Sequence, residues 1–190
     1  MVTLMSTNTK EIDEAGLARL AVTDADAFAE LYRQNVTRVY RYHMAHTGNA
    51  KDAEDLTSQT FMAALEGIRS YRGSGSFAAW IMGIASKKRL MFFRRNRHEV
   101  PLEAAEHYPS PSLPTDKAAM ARIRLEAIAQ ALRQITSDRS EAITLVYFGG
   151  LNYTEASRVM DKNEAAVKML VSRGLQDLRE RTSLRMEVEE

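Results

Sequence analysis

The chain has no cysteine among its 190 residues, one tryptophan and only four prolines. Without cysteine there is no disulfide, no thiolate nucleophile and no Cys-ligated zinc. No apolar run approaches the roughly 18 residues of a membrane-spanning helix, so no membrane contact of its own is expected. Residues 1–10 lack the basic-then-apolar order of a secretory signal, and the expected location is the cytoplasm. His43, His46, His98 and His107 are scattered. His43 and His46 share a helix face, but no carboxylate stands where a third ligand is needed, so no metal is expected. A glycine-rich phosphate loop and a nucleophile elbow are both missing, which leaves no catalytic residue and no cofactor to assign.

What is present is helix-forming and charged. A 45% hydrophobic share with 27% charged residues describes a folded globular chain. The net charge of +1 hides a division. Residues 24–98 hold 12 Lys/Arg against 7 Asp/Glu (+5), residues 99–118 hold 1 against 4 (−3), and residues 119–183 hold 10 against 8 (+2). Two basic blocks around an acidic spacer suggest two contacts with a polyanion. All four prolines lie from Pro101 to Pro114, where no helix can run. The expected division is therefore an N-terminal tail (1–23), a first domain (24–98), a linker (99–118), a second domain (119–183) and an acidic tail (184–190).

Apolar spacing predicts three helices before the linker. Phe28, Leu31, Tyr32, Val36, Val39, Tyr40 and His43 mark the first, broken at Gly48-Asn49. Ala53, Leu56, Thr60, Phe61, Ala64, Leu65 and Ile68 mark the second. After a loop over 72–76, Phe77, Trp80, Ile81, Ile84 and Met91 open the third, which runs into Arg97. Four more follow the linker. Ile123, Leu125, Ile128, Ala131, Leu132 and Ile135 form one. Ser137 or Asp138 caps the next, which stops at Gly149-Gly150. Asn152 caps a short helix, with Glu155 in the capping-box position. Beyond 161–163, Val167, Leu170, Val171, Gly174, Leu175 and Leu178 face inward on the last. With no strand alternation, the expected fold is all-α: two small helical domains joined by a proline-containing linker.

Residues 152–180 have the form of a helix-turn-helix, whose second helix enters the major groove. Its outward residues include Glu164, Lys168, Met169, Ser172 and Arg173, of which Lys168 and Arg173 suit phosphate or a guanine edge and Ser172 a phosphate. Taken alone, the segment also fits an ordinary helical hairpin with a solvated face. In the first domain no acid interrupts 87–98, which holds Lys87, Lys88, Arg89, Arg94 and Arg95. Tyr71 and Trp80 flank the loop just before it, and aromatics beside cations can stack single-stranded bases. Trp80 sits at a core spacing, so Tyr71 is the better candidate for a base.

The combination resembles the extracytoplasmic-function sigma factors of bacterial RNA polymerase. Asp52-Ala53-Glu54-Asp55-Leu56 with Gln59-Thr60-Phe61 is similar to the helix by which that family docks on the clamp coiled coil of the polymerase largest subunit. Tyr71-Arg72-Gly73 with Phe77-Ala78-Ala79-Trp80-Ile81 resembles the segment that melts and reads the −10 element. Ile143 to Gly150, Leu151-Asn152-Tyr153-Thr154-Glu155 and Ala166-Val167-Lys168 resemble the region that reads the −35 element. The resemblance implies a non-enzymatic transcription initiation factor whose partners are core polymerase (clamp coiled coil and flap region), promoter DNA and an anti-sigma factor. It implies polymerase contacts at Asp52, Glu54, Asp55 and Gln59. It places −10 contacts at Tyr71, Arg72, Trp80, Lys87, Lys88, Arg94 and Arg95, and −35 contacts at Thr154, Lys168, Met169, Ser172 and Arg173. This chain departs from the pattern in four places. Gln59 replaces a usual acid, Lys87 a common asparagine, Asp161 a turn glycine, and Met169-Leu170 a frequent Ser-Arg, so an altered −35 preference is expected. An operator-binding regulator, a helical enzyme and a non-DNA adaptor are the rival readings. Co-purification with polymerase and salt-dependent DNA affinity discriminate among them.

Overall fold

The computed structural model describes residues 14–73, 75–99 and 116–188. The proline segment, His107 and the side chain of His98 lie outside the described residues, as do residues 1–13 and the last two of the acidic tail. The architecture is all-α: α1 (Glu14–Leu20), α2 (Ala25–Thr47), α3 (Ala50–Gly67), a 3-10 turn (Ile68–Ser70), α4 (Phe77–Glu99), α5 (Asp116–Leu132), α6 (Ser137–Tyr147), α7 (Tyr153–Met160) and α8 (Glu164–Val188).

The caps explain where the helices break. Asp24 accepts from the amides of Asp26 and Ala27 at the start of α2. Gly48, at φ 62°, closes α2 in the left-handed conformation that suits glycine. Asn49 then accepts from the amide of Asp52 and opens α3. Asn152 and Glu155 form the expected capping box of α7. Two local expectations differ. Thr136, not Ser137 or Asp138, occupies the N-cap of α6, and no side chain caps it. The segment read as a tail contributes α1, whose Leu17 and Ala18 are buried together with Ala21 one turn on.

Helix α2 is the axis of the fold, packed by α1, α3, α4, α5 and α6. That is why Tyr42, His43, Met44, Ala45 and His46 are all buried, five residues in a row. The two helical groups, α1–α4 and α5–α8, share one hydrophobic core. Leu31, Val39, Phe77, Ile81, Met82 and Ala85 from the first pack with Ala142, Leu145, Leu151, Ala156 and Val167 from the second. Several residues expected inside are exposed instead: Tyr32, Leu65, Met91 and Ile123.

Candidate nucleic-acid interface

The acidic start of α3 is solvent-facing at Glu54, Asp55 and Gln59, whereas Asp52 is half-buried in the first turn. Burial, then the neighbouring Asp55, raises the Asp52 carboxyl above its usual value, against the pull of Lys51. The same helix continues in exposed apolar residues: Met62 is 63% exposed and Leu65 51%, while exposed Tyr32 of α2 packs against Phe61 at 4.6 Å. Carboxylates merging into exposed apolar side chains make a surface suited to a protein partner. Met62 escaped the sequence reading because it falls outside the buried stripe of its helix.

Between α3 and α4 three aromatic rings interlock. Tyr71 lies 5.7 Å from Phe77 and 5.5 Å from Trp80, and Phe77 lies 5.4 Å from Trp80. Phe77 is fully buried and anchors the group, while Tyr71 and Trp80 are both half-buried. The Tyr71 hydroxyl donates to the Gly75 carbonyl at 2.9 Å and holds the loop closed on the ring. Arg72, Lys87, Arg94 and Arg95 are exposed and Lys88 is half-buried, so the aromatic group and the cations share one structural unit. The basic run is not uniform. Arg89 turns inward and is only 7% exposed.

In the helix-turn-helix, α7 and α8 join through Asp161, at φ 52° the one non-glycine residue with positive φ among the described residues. An aspartate there accepts strain that glycine avoids. Thr154, Lys168, Met169, Ser172 and Arg173 are all exposed. Glu164 stands among them. It accepts from Thr154 at 2.6 Å and pairs with Lys168 at 2.6 Å, which lowers its own carboxyl pKa and raises that of Lys168. Lys168 also lies 5.6 Å over the Tyr153 ring. A carboxylate on this face competes with phosphate for the lysine. Glu164→Gln is therefore expected to tighten duplex binding about two- to tenfold, read by fluorescence anisotropy at fixed salt. Unchanged or weaker binding would show that Lys168 does not meet the DNA.

Residues 31–99 match Sigma-70 region 2, and residues 125–178 match Sigma-70, region 4. The ECF RNA polymerase sigma factor BldN of Streptomyces coelicolor is 34% identical over 164 residues, covering 84% of this chain and 62% of BldN. The chain belongs to the extracytoplasmic-function sigma factors. It spans 62% of the length of BldN. The sigma factor SigK of Mycobacterium tuberculosis is 28% identical over 171 residues, 87% of this chain and 91% of SigK. Two solved sigma factors share the fold. CnrH, in complex with the cytosolic domain of CnrY, superposes with a TM-score of 0.72 at 20% identity, covering 90% of this chain and 97% of CnrH. RpoE of Bartonella quintana, in complex with the anti-sigma factor NepR, gives 0.64 at 22% identity, covering 80% of this chain and 94% of RpoE.

In this sigma factor the two family regions meet at a buried polar cluster that sequence reasoning missed. Glu141 of α6 is 6% exposed. It accepts from Tyr42 at 2.9 Å and from Ser86 at 2.6 Å, and pairs with Arg89 at 3.0 Å and His46 at 3.1 Å. Burial alone would raise its pKa. The hydrogen bond from His46 and the charge of His46 when protonated, then the Arg89 charge and the Ser86 hydroxyl, outweigh burial and hold it at about 2. Thr144 spends its hydroxyl hydrogen on the carbonyls of Ser140 and Glu141, so it receives from His46 at 2.8 Å and fixes that imidazole proton on Nε2. Burial lowers the His46 pKa, so Arg89 is the cation that balances Glu141. His43 has a different setting. Its Nε2 meets Thr60 at 3.0 Å, while its buried Nδ1 has no partner among the described residues. A proton on Nδ1 would be stranded, and burial, then the neighbouring His46, lowers the His43 pKa to about 3.

Proposed function

We propose that this sigma factor is a transcription initiation factor that binds core RNA polymerase and directs it to promoters, leaving the chemistry to the polymerase. Residues 24–98 form the polymerase- and −10-binding domain, 99–118 the linker, and 119–183 the −35-binding domain. The protein acts in the cytoplasm and is held in check by an anti-sigma factor. The observation that carries this reading is the Tyr71–Phe77–Trp80 group at the start of α4 with exposed cations further along the same helix, a stacking platform and a phosphate-binding edge within the part that matches region 2. Asp52, Glu54, Asp55 and Gln59 supply the polymerase contact, joined by Met62 and Leu65. Tyr71, Arg72, Trp80, Lys87, Lys88, Arg94 and Arg95 take the unstacked −10 strand. Thr154, Lys168, Met169, Ser172 and Arg173 take the −35 duplex.

Run-off transcription with core polymerase on a genomic promoter pool tests the whole reading. Specific transcripts are expected only when the protein is added, and their absence, with no polymerase co-purifying, would favour an operator-binding regulator. Two substitutions separate the steps. Asp55→Arg should lower core-polymerase affinity with helical circular dichroism nearly unchanged, since Asp55 is exposed. Tyr71→Ala should weaken capture of a single-stranded −10 oligonucleotide by about 1–3 kcal/mol, the usual cost of a lost stacking platform. Core binding should barely change. If Trp80→Ala abolishes capture while Tyr71→Ala does not, the Trp80 ring is the one that stacks.

A further inference from the structure

The loop assigned to the −10 strand is met at its Gly75–Ser76 end by α7 of the helix-turn-helix. Ser76 caps α4 by accepting from the Ala79 amide at 3.1 Å, and its hydroxyl donates to Glu155 of α7 at 2.5 Å. Arg158 of α7 stands so close that a Cβ on Gly75 would lie 3.3 Å from its Nη1. The other Glu155 oxygen closes the capping box on the Asn152 amide at 3.0 Å. A carboxylate thus faces the loop where a nucleic-acid strand would run. Further along α4, Glu141 is enclosed by Tyr42, His46, Ser86 and Arg89, all from the first group of helices.

This arrangement cannot serve both promoter elements at once. Elements centred near −10 and −35 lie about 25 base pairs apart, roughly 85 Å along the duplex at 3.4 Å per pair. Here α7 of the helix-turn-helix touches the start of α4 through Ser76 and Glu155.

We propose that Glu141 is an intramolecular latch: its buried contacts with Arg89, Tyr42, Ser86 and His46 hold the helix-turn-helix over the 71–76 loop in a closed state that must open before promoter binding. The proposal rests on the function inferred above for its effect on DNA, though not for the closure itself. The latch works through an asymmetry. With Glu141 in place, Arg89 is buried but paired. Without it, Arg89 is a buried charge with no counterion, and opening returns it to water. The apolar contacts of Phe77, Ile81 and Met82 with Leu145 and Ala156 favour closure in either case, whereas the carboxylate cluster makes closure depend on one group. A surface that captures Glu141 or Arg89 would release the latch.

The absence of cysteine makes the test direct. Spin labels on Met62→Cys and Met169→Cys, both exposed positions in opposite groups, report the distance between them in the full chain. The otherwise native chain is expected to give one narrow, short distribution. Glu141→Gln, which keeps an acceptor but removes the charge, should move it to longer and broader distances with helical circular dichroism retained. Ser86→Ala, which removes one donor and leaves the ion pair, should shift it in the same direction by less and serves if Glu141→Gln fails to fold. If closed molecules outnumber open ones tenfold, opening raises apparent affinity for a −10 single strand about tenfold. Distances and oligonucleotide affinity that stay unchanged in both variants would overturn the latch. Distances that lengthen while no variant binds the oligonucleotide would support the latch and refute the promoter reading.

Discussion

Replacing Phe77 by alanine is expected to cost about 3–5 kcal/mol of folding stability, in line with loss of a fully enclosed aromatic side chain. Phe77 has no exposed surface and stands at the junction of both helical groups, so little can move in to fill its space. For a chain of this size the midpoint of thermal unfolding should fall by roughly 10 °C. Under the proposed −10 role the effect reaches function as well, because Tyr71 and Trp80 both rest against this ring. Well below the new midpoint, single-strand capture should also weaken. Leu31→Ala is the control: Leu31 is equally buried and its loss should cost about 2–5 kcal/mol. It lies on α2, outside the Tyr71–Phe77–Trp80 ring group, and its capture of the oligonucleotide should match the parent protein. Equal loss of capture in both variants would mean that general loosening, not ring support, governs the platform.

Acid should destabilise the protein well above the usual carboxylate range. The unfolded chain protonates His43 near 6.5, but the folded protein resists down to about 3. Between those values the unfolded state binds more protons, so stability falls as pH falls. Going from pH 7 to pH 5, His43 alone removes about 2 kcal/mol. His46, also lowered by burial, acts in the same direction. Glu141 adds a further loss below pH 4.5, since its folded pKa lies near 2 and protonation favours the unfolded chain there. Urea midpoints at pH 7 and pH 5 measure the slope, and His43→Gln should flatten it. A slope that persists in His43→Gln would place the acid-sensitive proton on His46.

The parts of the fold that could be read from the sequence are those decided within a few residues. The break at Gly48-Asn49 and the Asn152–Glu155 box each depend on local hydrogen bonds, and both lie where spacing put them. Asp161, read as a substitute for a turn glycine, has the positive φ that a glycine would favour. What could not be read depends on neighbours far along the chain. Tyr42 and Glu141 are 99 positions apart, and polar types gave no reason to bury either. Arg89 was read as one cation of a basic edge because nothing within that run marks it as the residue facing a carboxylate on α6. Apolar spacing failed in the opposite sense at Leu65 and Tyr32, where it assumes that an apolar residue in phase with a stripe is covered. Here they remain on the surface, as does Met62. Helix α1 carried a signal that went unused: Glu14, Leu17, Ala18 and Ala21 keep helical spacing just before the Asp24 cap.

The buried cluster limits modularity. Region 2 and region 4 can be drawn as exchangeable cassettes, yet Glu141 belongs to one and Tyr42, His46, Ser86 and Arg89 to the other. A chimaera that joins α1–α4 of this protein to the region 4 of a relative inherits Arg89 without its counterion unless the donor carries a carboxylate at the matching place. Such a hybrid would keep both surfaces proposed to read DNA while losing the charge balance between the two regions. In this chain, domain swapping by design therefore has to treat five side chains from two cassettes as a single inherited unit.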